Sequence, residues 1–148
     1  EGAVGKECRM ENGYLYVSGE WKKGDLLKLR FAMKVKVMQA DSRVRQDEGK
    51  VAIMRGPVVY CLEEADNGQG LPLVRVKPDA VFTEEDELGF TMIMLRVNAK
   101  TKKPVTVENG LYQTWQKPVY EGKELRFIPY YAWANRGEGE MEVWVNQL

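Results

Sequence analysis

The residues best suited to chemistry in this chain are two runs of carboxylates, Glu63-Glu64-Asp66 and Glu84-Glu85-Asp86-Glu87. Two carboxyls act together on a glycosidic bond when one keeps its proton and the other loses it, and that needs unlike environments. Both runs lie in polar, loop-like stretches where every acid meets the same solvent. They read as solvated loop acids, and no catalytic residue is assigned. A second charged group is Arg43, Arg45 and Asp47 in "RVRQDEG", with Arg55 embedded in the apolar run "KVAIMRGPVVYCLE". A buried arginine must find a carboxylate or several carbonyls, because an unpaired buried charge is strongly destabilising. These four are expected to form structural ion pairs, with Arg43, Arg45 and Asp47 on one parity of a strand.

Aromatics form the third group. "IPYYAWANRGEGEMEVWV" (128–145) holds Tyr130, Tyr131, Trp133 and Trp144, and Trp115 stands in "YQTWQKP". In "LRFIPYYAW", Phe127 falls on the core parity and Tyr130 off it. Trp115, Tyr130, Trp133 and Trp144 are the candidates for an outward patch. Such a patch stacks on sugar, docks another domain, or lies under a loop of its own domain. Asn135-Arg136-Gly137 reads as a turn.

Other chemistries are excluded by what is missing. The chain has no His, so the usual neutral-pH acid–base residue is absent. Ser18 and Ser42 are the only serines, with no imidazole to activate either. Cys8 and Cys61 are far apart and neither starts a Cys-x-x-Cys pair, so no metal site is expected; a disulfide between them stays open. No glycine-rich phosphate loop occurs. Lys plus Arg equals Asp plus Glu, 22 of each, which argues against nucleic acid as a partner. No apolar run approaches the roughly 20 residues of a membrane helix. The opening "EGAVGKECRMENGYLYV" lacks the charged start and apolar block of a secretory leader, though one could lie upstream or have been removed.

The elements that must position these residues are short strands between turns. "GYLYVSGEW" (13–21) follows Asn12-Gly13, a hairpin-type turn signal. In "LLKLRFAMKVKVM" (26–38), Leu27, Leu29, Phe31, Met33, Val35 and Val37 alternate with charged residues, the pattern of a long strand with one wet face. Residues 50–63 are apolar on both parities, so both faces should be covered, with a bulge or bend at Arg55-Gly56-Pro57. "EEADNGQGLP" (63–72) reads as a linker. Strands are expected at 73–77, 91–99, 105–108, 125–133 and 141–146, and "FTEEDELGF" (82–90) is the one helical-turn candidate. The fold class that follows is all-β: a jelly-roll-like β-sandwich, mainly antiparallel, with little helix.

Two strings, "GKVAIMRGPVVYCLE" and "PYYAWANRG", resemble the carboxy-terminal part of glycoside hydrolase family 127, the β-L-arabinofuranosidase-like family. The resemblance runs from about Gly13 to Val145. It implies that catalysis belongs to an (α/α)6 barrel outside this sequence, with the family's zinc site and nucleophilic cysteine in that barrel; Cys61 matches a sandwich position. It also implies two parts here, residues 1–62 from a middle β-sandwich region and 63–148 as the C-terminal sandwich, packing as one unit or two. The implied role is non-catalytic: contact with the barrel or with a second copy. A glycan-binding module is the alternative. Strands that should pair with "LLKLRFAM" are expected upstream of residue 1. The implied setting is a bacterial cytoplasm or periplasm.

Overall fold

Asn12-Gly13 makes the turn its residue types demand. In the computed structural model, which describes residues 6–86 and 92–148, it joins β1 (Glu7–Glu11) to β2 (Tyr14–Ser18). Both turn residues have positive φ, +50° and +81°, as a type I′ turn requires. The register runs from Glu7 opposite Ser18 to Glu11 opposite Tyr14. This hairpin belongs to a small unit, Glu1–Ala32. Its side chains are nearly all exposed, and its contacts are surface ones. The Lys6 ammonium sits 4.1 Å from the Trp21 ring centre, and Arg9 sits 4.9 Å from that of Tyr16.

The strand expected from residue 26 forms only at β3 (Val35–Met38). Leu27, Leu29 and Phe31 are exposed, in spite of their alternation. Alternation describes a face, whereas a strand also needs a ladder partner. Only β3 has one, in β4 (Lys50–Arg55).

The second unit is Met33–Leu148. From β4 the chain turns through Gly56-Pro57 into β5 (Val58–Glu63), with Arg55 opposite Val58. Gly56 has φ +57°, and glycine then proline at the two central positions is the type II′ pattern. The expected bend is therefore a tight hairpin. Next come α1 (Glu64–Asn67), a 3₁₀ turn at Leu71–Leu73, β6 (Val74–Arg75) and β7 (Thr83–Asp86). Two ten-residue strands follow, β8 (Ile93–Lys102) and β9 (Tyr120–Pro129), paired along eight positions from Leu95–Phe127 to Lys102–Tyr120. Two short pieces, β10 (Met141–Glu142) and β11 (Val145–Asn146), complete the unit.

All pairings between these strands are antiparallel, in the order β11-β4-β5-β9-β8-β6, with β3, β7 and β10 attached to β4, β8 and β5. The hairpin β4–β5 stays paired only near its turn and then opens. Into that wedge goes the 141–146 segment: Met141 and Glu142 pair with β5, then Val145 and Asn146 with β4. Its continuation meets the opposite end of the sheet. The Val76 N–H donates to the Asn146 carbonyl and the Leu148 N–H to the Val76 carbonyl, both at 3.0 Å. The layers of the expected sandwich are thus parts of one strongly curled sheet, all-β, antiparallel and almost free of helix.

Alternating positions fill the interior. Val51, Ile53, Tyr60, Leu62, Leu95, Val97, Leu125, Phe127 and Val145 form the main core with Leu71, Val74 and Val76. Each fully buried Leu, Ile or Phe contributes about 1.5–3 kcal/mol. The opposite parity makes a second cluster, Cys61, Met94 and Ile128, covered by Ala132, Met141 and Val143. Both faces of residues 50–63 are accordingly in use. The buried Tyr60 hydroxyl donates to the Ile93 carbonyl at 2.7 Å.

Several sequence expectations give way. Residues 63–72 hold α1 and the Leu71 core contact instead of a free linker. The 82–90 helical turn is strand β7 where it is described; 87–90 lie outside the described residues, as do Thr91 and 1–5. "VTVE" (105–108) forms no strand. Arg45–Asp47 is one 3₁₀ turn, so Arg43, Arg45 and Asp47 do not share a strand face. Residues 62 and 63 both lie in β5, whose Leu62 pairs with Phe127.

Gly56 answers to two constraints, since a Cβ there would lie 2.5 Å from Met33 Sδ. Gly56→Ala is expected to cost about 1–3 kcal/mol, from positive φ plus crowding. Gly122→Ala, where a Cβ meets nothing within 4 Å, should instead be neutral or stabilise by up to about 1 kcal/mol. Urea denaturation of the two variants checks this ordering.

Candidate functional site

The densest polar cluster in the second unit starts where β5 ends. Glu63 continues a strand covered on both faces, so its side chain is carried inward and is only 6% exposed. One helical turn later Asp66 is equally buried, with 5% of its side chain exposed. Arg136 supplies the compensating charge. Its Nη1 donates to Asp66 Oδ1 at 2.9 Å, and its Nη2 donates to Asp66 Oδ2 and to Glu63 Oε2. The remaining Glu63 oxygen accepts the Ala134 N–H at 2.8 Å. Ala134 has φ +63°, a left-handed conformation that side chains other than glycine adopt at a cost. The two carboxylates hold the Arg136 guanidinium well above its ordinary pKa.

Asn67 completes the cluster by standing in for a peptide group. Beyond the Leu62–Phe127 pair, its Nδ2 donates to the Glu63 and Arg126 carbonyls, and its Oδ1 accepts the Arg126 N–H, all at 2.9 Å. The buried amide therefore leaves no group unsatisfied. Glu140 fastens the far end of the 130–140 segment. Its Oε2 accepts the Gly70 and Leu71 N–H groups at 2.8 and 2.7 Å, and its own N–H donates to Glu64 Oε2 at 2.9 Å.

From Asp66 the charges continue along the outer face of β8 and β9. Arg126 lies 3.8 Å from Asp66 and 3.7 Å from Glu85; Arg96 grips Glu85 with two N–H groups and reaches Glu124 at 3.1 Å. Arg55 makes a two-pronged pair with Glu84, 2.8 Å at each contact, fastening β4 to β7. Both glutamates are held below the ordinary carboxylate range, Glu84 by Arg55 and Glu85 by Arg96.

The expected site residues divide as follows. Arg55 is a structural ion pair, with Glu84. Arg43 pairs with its near neighbour Asp41 at 2.9 and 3.1 Å, on the surface. Arg45 and Asp47 form no ion pair among the described residues. Tyr130 and Trp133 come together, their ring centres 5.9 Å apart and their planes 23° apart. Strand parity had put them on opposite sides; a 3₁₀ turn at Tyr130–Ala132 aligns positions three apart. Trp144 is half-buried at the bend between β10 and β11, and Trp115 stands exposed in the 103–119 connection. Neither joins an aromatic pair among the described residues.

The acids near residue 63 are not solvated loop residues, because Arg136, 70 positions or more away in sequence, neutralises them. One signal pointed there: a glutamate continuing a strand that is apolar on both parities needs a buried cation. Nothing local marked Arg136 as that cation.

Chemically, every oxygen of Glu63 and Asp66 already has a donor. Beside them is a recess of about 10 Å³ lined by Glu63, Glu64, Trp133 and Glu138, room for one water at most. A larger hollow of about 520 Å³ within 103–119 contains one acid, Glu108. Among the described residues no three His, Cys, Asp or Glu side chains are placed to hold a metal. Cys8 and Cys61 are free thiols, and burial pushes the Cys61 thiol up to about 12, with Glu63 adding to the shift. The donor set for the zinc that the family resemblance places in its barrel is thus not found in the described residues. No helix among them is long and apolar enough to cross a membrane.

The second unit is a curled antiparallel β-domain with almost no helix. Comparison with known proteins gives the family. The profile of the glycoside hydrolase family 127 C-terminal domain matches residues 35–146, and the chain belongs to that family. The non-reducing end β-L-arabinofuranosidase of Bifidobacterium longum is 38% identical over 143 residues, covering 90% of this chain and 21% of that protein. A solved family 127 β-L-arabinofuranosidase from Geobacillus stearothermophilus matches with a TM-score of 0.77 and 38% identity, over 94% of this chain and 22% of that one. A second solved family 127 β-arabinofuranosidase matches with a TM-score of 0.75 and 34% identity, over 96% and 22%. The chain spans about a fifth of the length of these relatives.

Arg136→Met should destabilise the domain by roughly 2–4 kcal/mol, less than for a fully buried pair because 34% of the Arg136 side chain is exposed. Adding Glu63→Gln should recover part of that loss in a double-mutant cycle read by urea denaturation. Glu142 gives a pH test. Its Oε2 is buried without a hydrogen-bond partner among the described residues, and burial raises its pKa; Glu140 adds to the rise, while Lys50 and Arg75 oppose it. A raised carboxyl pKa gives stability that is full below the unfolded value of 4.5 and is lost as pH rises through the folded value. Glu142→Gln should therefore melt higher than wild type at neutral pH, with the gap closing in acid.

Proposed function

We propose that this chain is a non-catalytic accessory domain of a β-L-arabinofuranosidase-like glycoside hydrolase, packing against a separate catalytic barrel or mediating dimer contacts. In this reading residues 1–32 are the end of a preceding β-sandwich region. Support for that division comes from the C-terminal-domain match starting at residue 35 and the compact unit starting at Met33. The observation that carries the reading is the state of the buried acids. Glu63 and Asp66 have their oxygens committed to Arg136 and Ala134, and the recess that the described residues form beside them is about 10 Å³. Most glycoside hydrolases use one free acid and one free carboxylate flanking the glycosidic bond. Any zinc and its ligands belong, in this reading, to the barrel.

The stacked Tyr130 and Trp133, each about two-fifths exposed, favour a second reading: a glycan-stacking surface. Arabinan oligosaccharides titrated against intrinsic tryptophan fluorescence separate the two. The accessory reading expects no saturable change, whereas a saturable quench lost in Trp133→Ala establishes the second. The 148-residue chain should also leave an aryl β-L-arabinofuranoside intact, and steady release of the aryl group would make it a hydrolase in its own right.

A further inference from the structure

The long strands β8 and β9 do not end in a short hairpin. Their last link is the Lys103 N–H donating to the Val119 carbonyl at 2.9 Å. Pro104 and Pro118 follow on the two legs, and proline brings no N–H to continue the ladder. Residues 103–119 then run without strand or helix. Connections this long and irregular are uncommon in compact domains, and those that occur are usually functional or disordered. Their apolar side chains point to water: Leu111 is 86% exposed, Tyr112 91% and Trp115 79%. Large apolar side chains exposed together along one segment are candidates for an interaction surface. The surroundings are basic. Residues 100–123 carry five lysines and two glutamates, in a chain whose net charge is zero.

We infer that this arm docks the domain onto the part of its own longer polypeptide that lies N-terminal to it, in an apolar hollow rimmed by carboxylates. The inference rests on the accessory-domain reading and names the surface that reading needs. Two observations commit it to this occupant. In the solved relatives, matches covering 94% and 96% of this chain occupy 22% of the polypeptide, so about four-fifths lies outside the matched domain. Residues 100–123 carry a net positive charge, which carboxylates on the docking surface would complement, and charge complementarity of this kind sets docking orientation.

Amide hydrogen exchange tests it, comparing the 148-residue chain with the longer polypeptide that carries it. The unit Met33–Leu148 has its own core, so the shorter chain is a fair reference. Amides of the arm should exchange at least about tenfold slower in the longer polypeptide. Leu111→Lys with Trp115→Lys should restore fast exchange in the arm and leave β8 and β9 unchanged. Equal exchange in both polypeptides overturns the inference. Protection that grows with concentration in the 148-residue chain also overturns it, by assigning the arm to a second copy. Turnover of the aryl arabinofuranoside by the shorter chain would defeat the accessory reading and leave the exchange result standing, so the two failures are distinguishable.

Discussion

The wedge between β4 and β5 is the constraint on which the Met33–Leu148 unit depends. A hairpin that opens away from its turn leaves two rows of unpaired backbone groups, and buried ones must be paired. Here the 141–148 segment pairs with β5, crosses to β4, and passes on to Val76. One stretch of chain thus satisfies both inner edges and joins the ends of the sheet. It also delivers Val145 to the main core and Met141 and Val143 to the second cluster. Without it, Val51, Leu62 and Val76 would lose common neighbours and the curled sheet would have no seam.

The buried charges follow from that geometry. Because β5 is covered on both faces, its last residue is carried into the protein whatever its type, and that residue is a glutamate. Burying an ionised group is unfavourable unless geometry supplies a partner and further hydrogen bonds. Arg136 and the Ala134 N–H, both from the 130–140 segment, supply them. A pair of this kind adds little net stability over an apolar substitute. It does tie the loop bearing Tyr130 and Trp133 to one place on the sheet.

Much of the β architecture was legible in the sequence because it is written in local periodicity. The two-faced burial of 50–63, the hairpin signal at Asn12-Gly13 and the core parity of Leu125 and Phe127 all depend on neighbours along the chain. The misreadings share a different origin. Leu27, Leu29 and Phe31 alternate like a strand but have no ladder partner among the described residues. Thr83–Asp86 is too acidic to look like a strand, and it becomes one because Arg55 and Arg96 face it. The partnership of Glu63 with Arg136 spans 73 positions, and no local window of sequence contains both. Tyr130 and Trp133 were recognised as aromatics worth naming, while their stacking came from a 3₁₀ turn that strand parity could not anticipate.

The seam also sets an order in time. Residues 141–146 close a wedge made by residues 50–63, so synthesis must add nearly eighty further residues before the gap between β4 and β5 is filled. At the usual 5–20 residues per second, that interval is on the order of ten seconds. Throughout it the nascent hairpin presents open edges and an apolar inner face. A growing polypeptide in that condition carries the exposed apolar surface and unpaired strand edges that favour aggregation during synthesis.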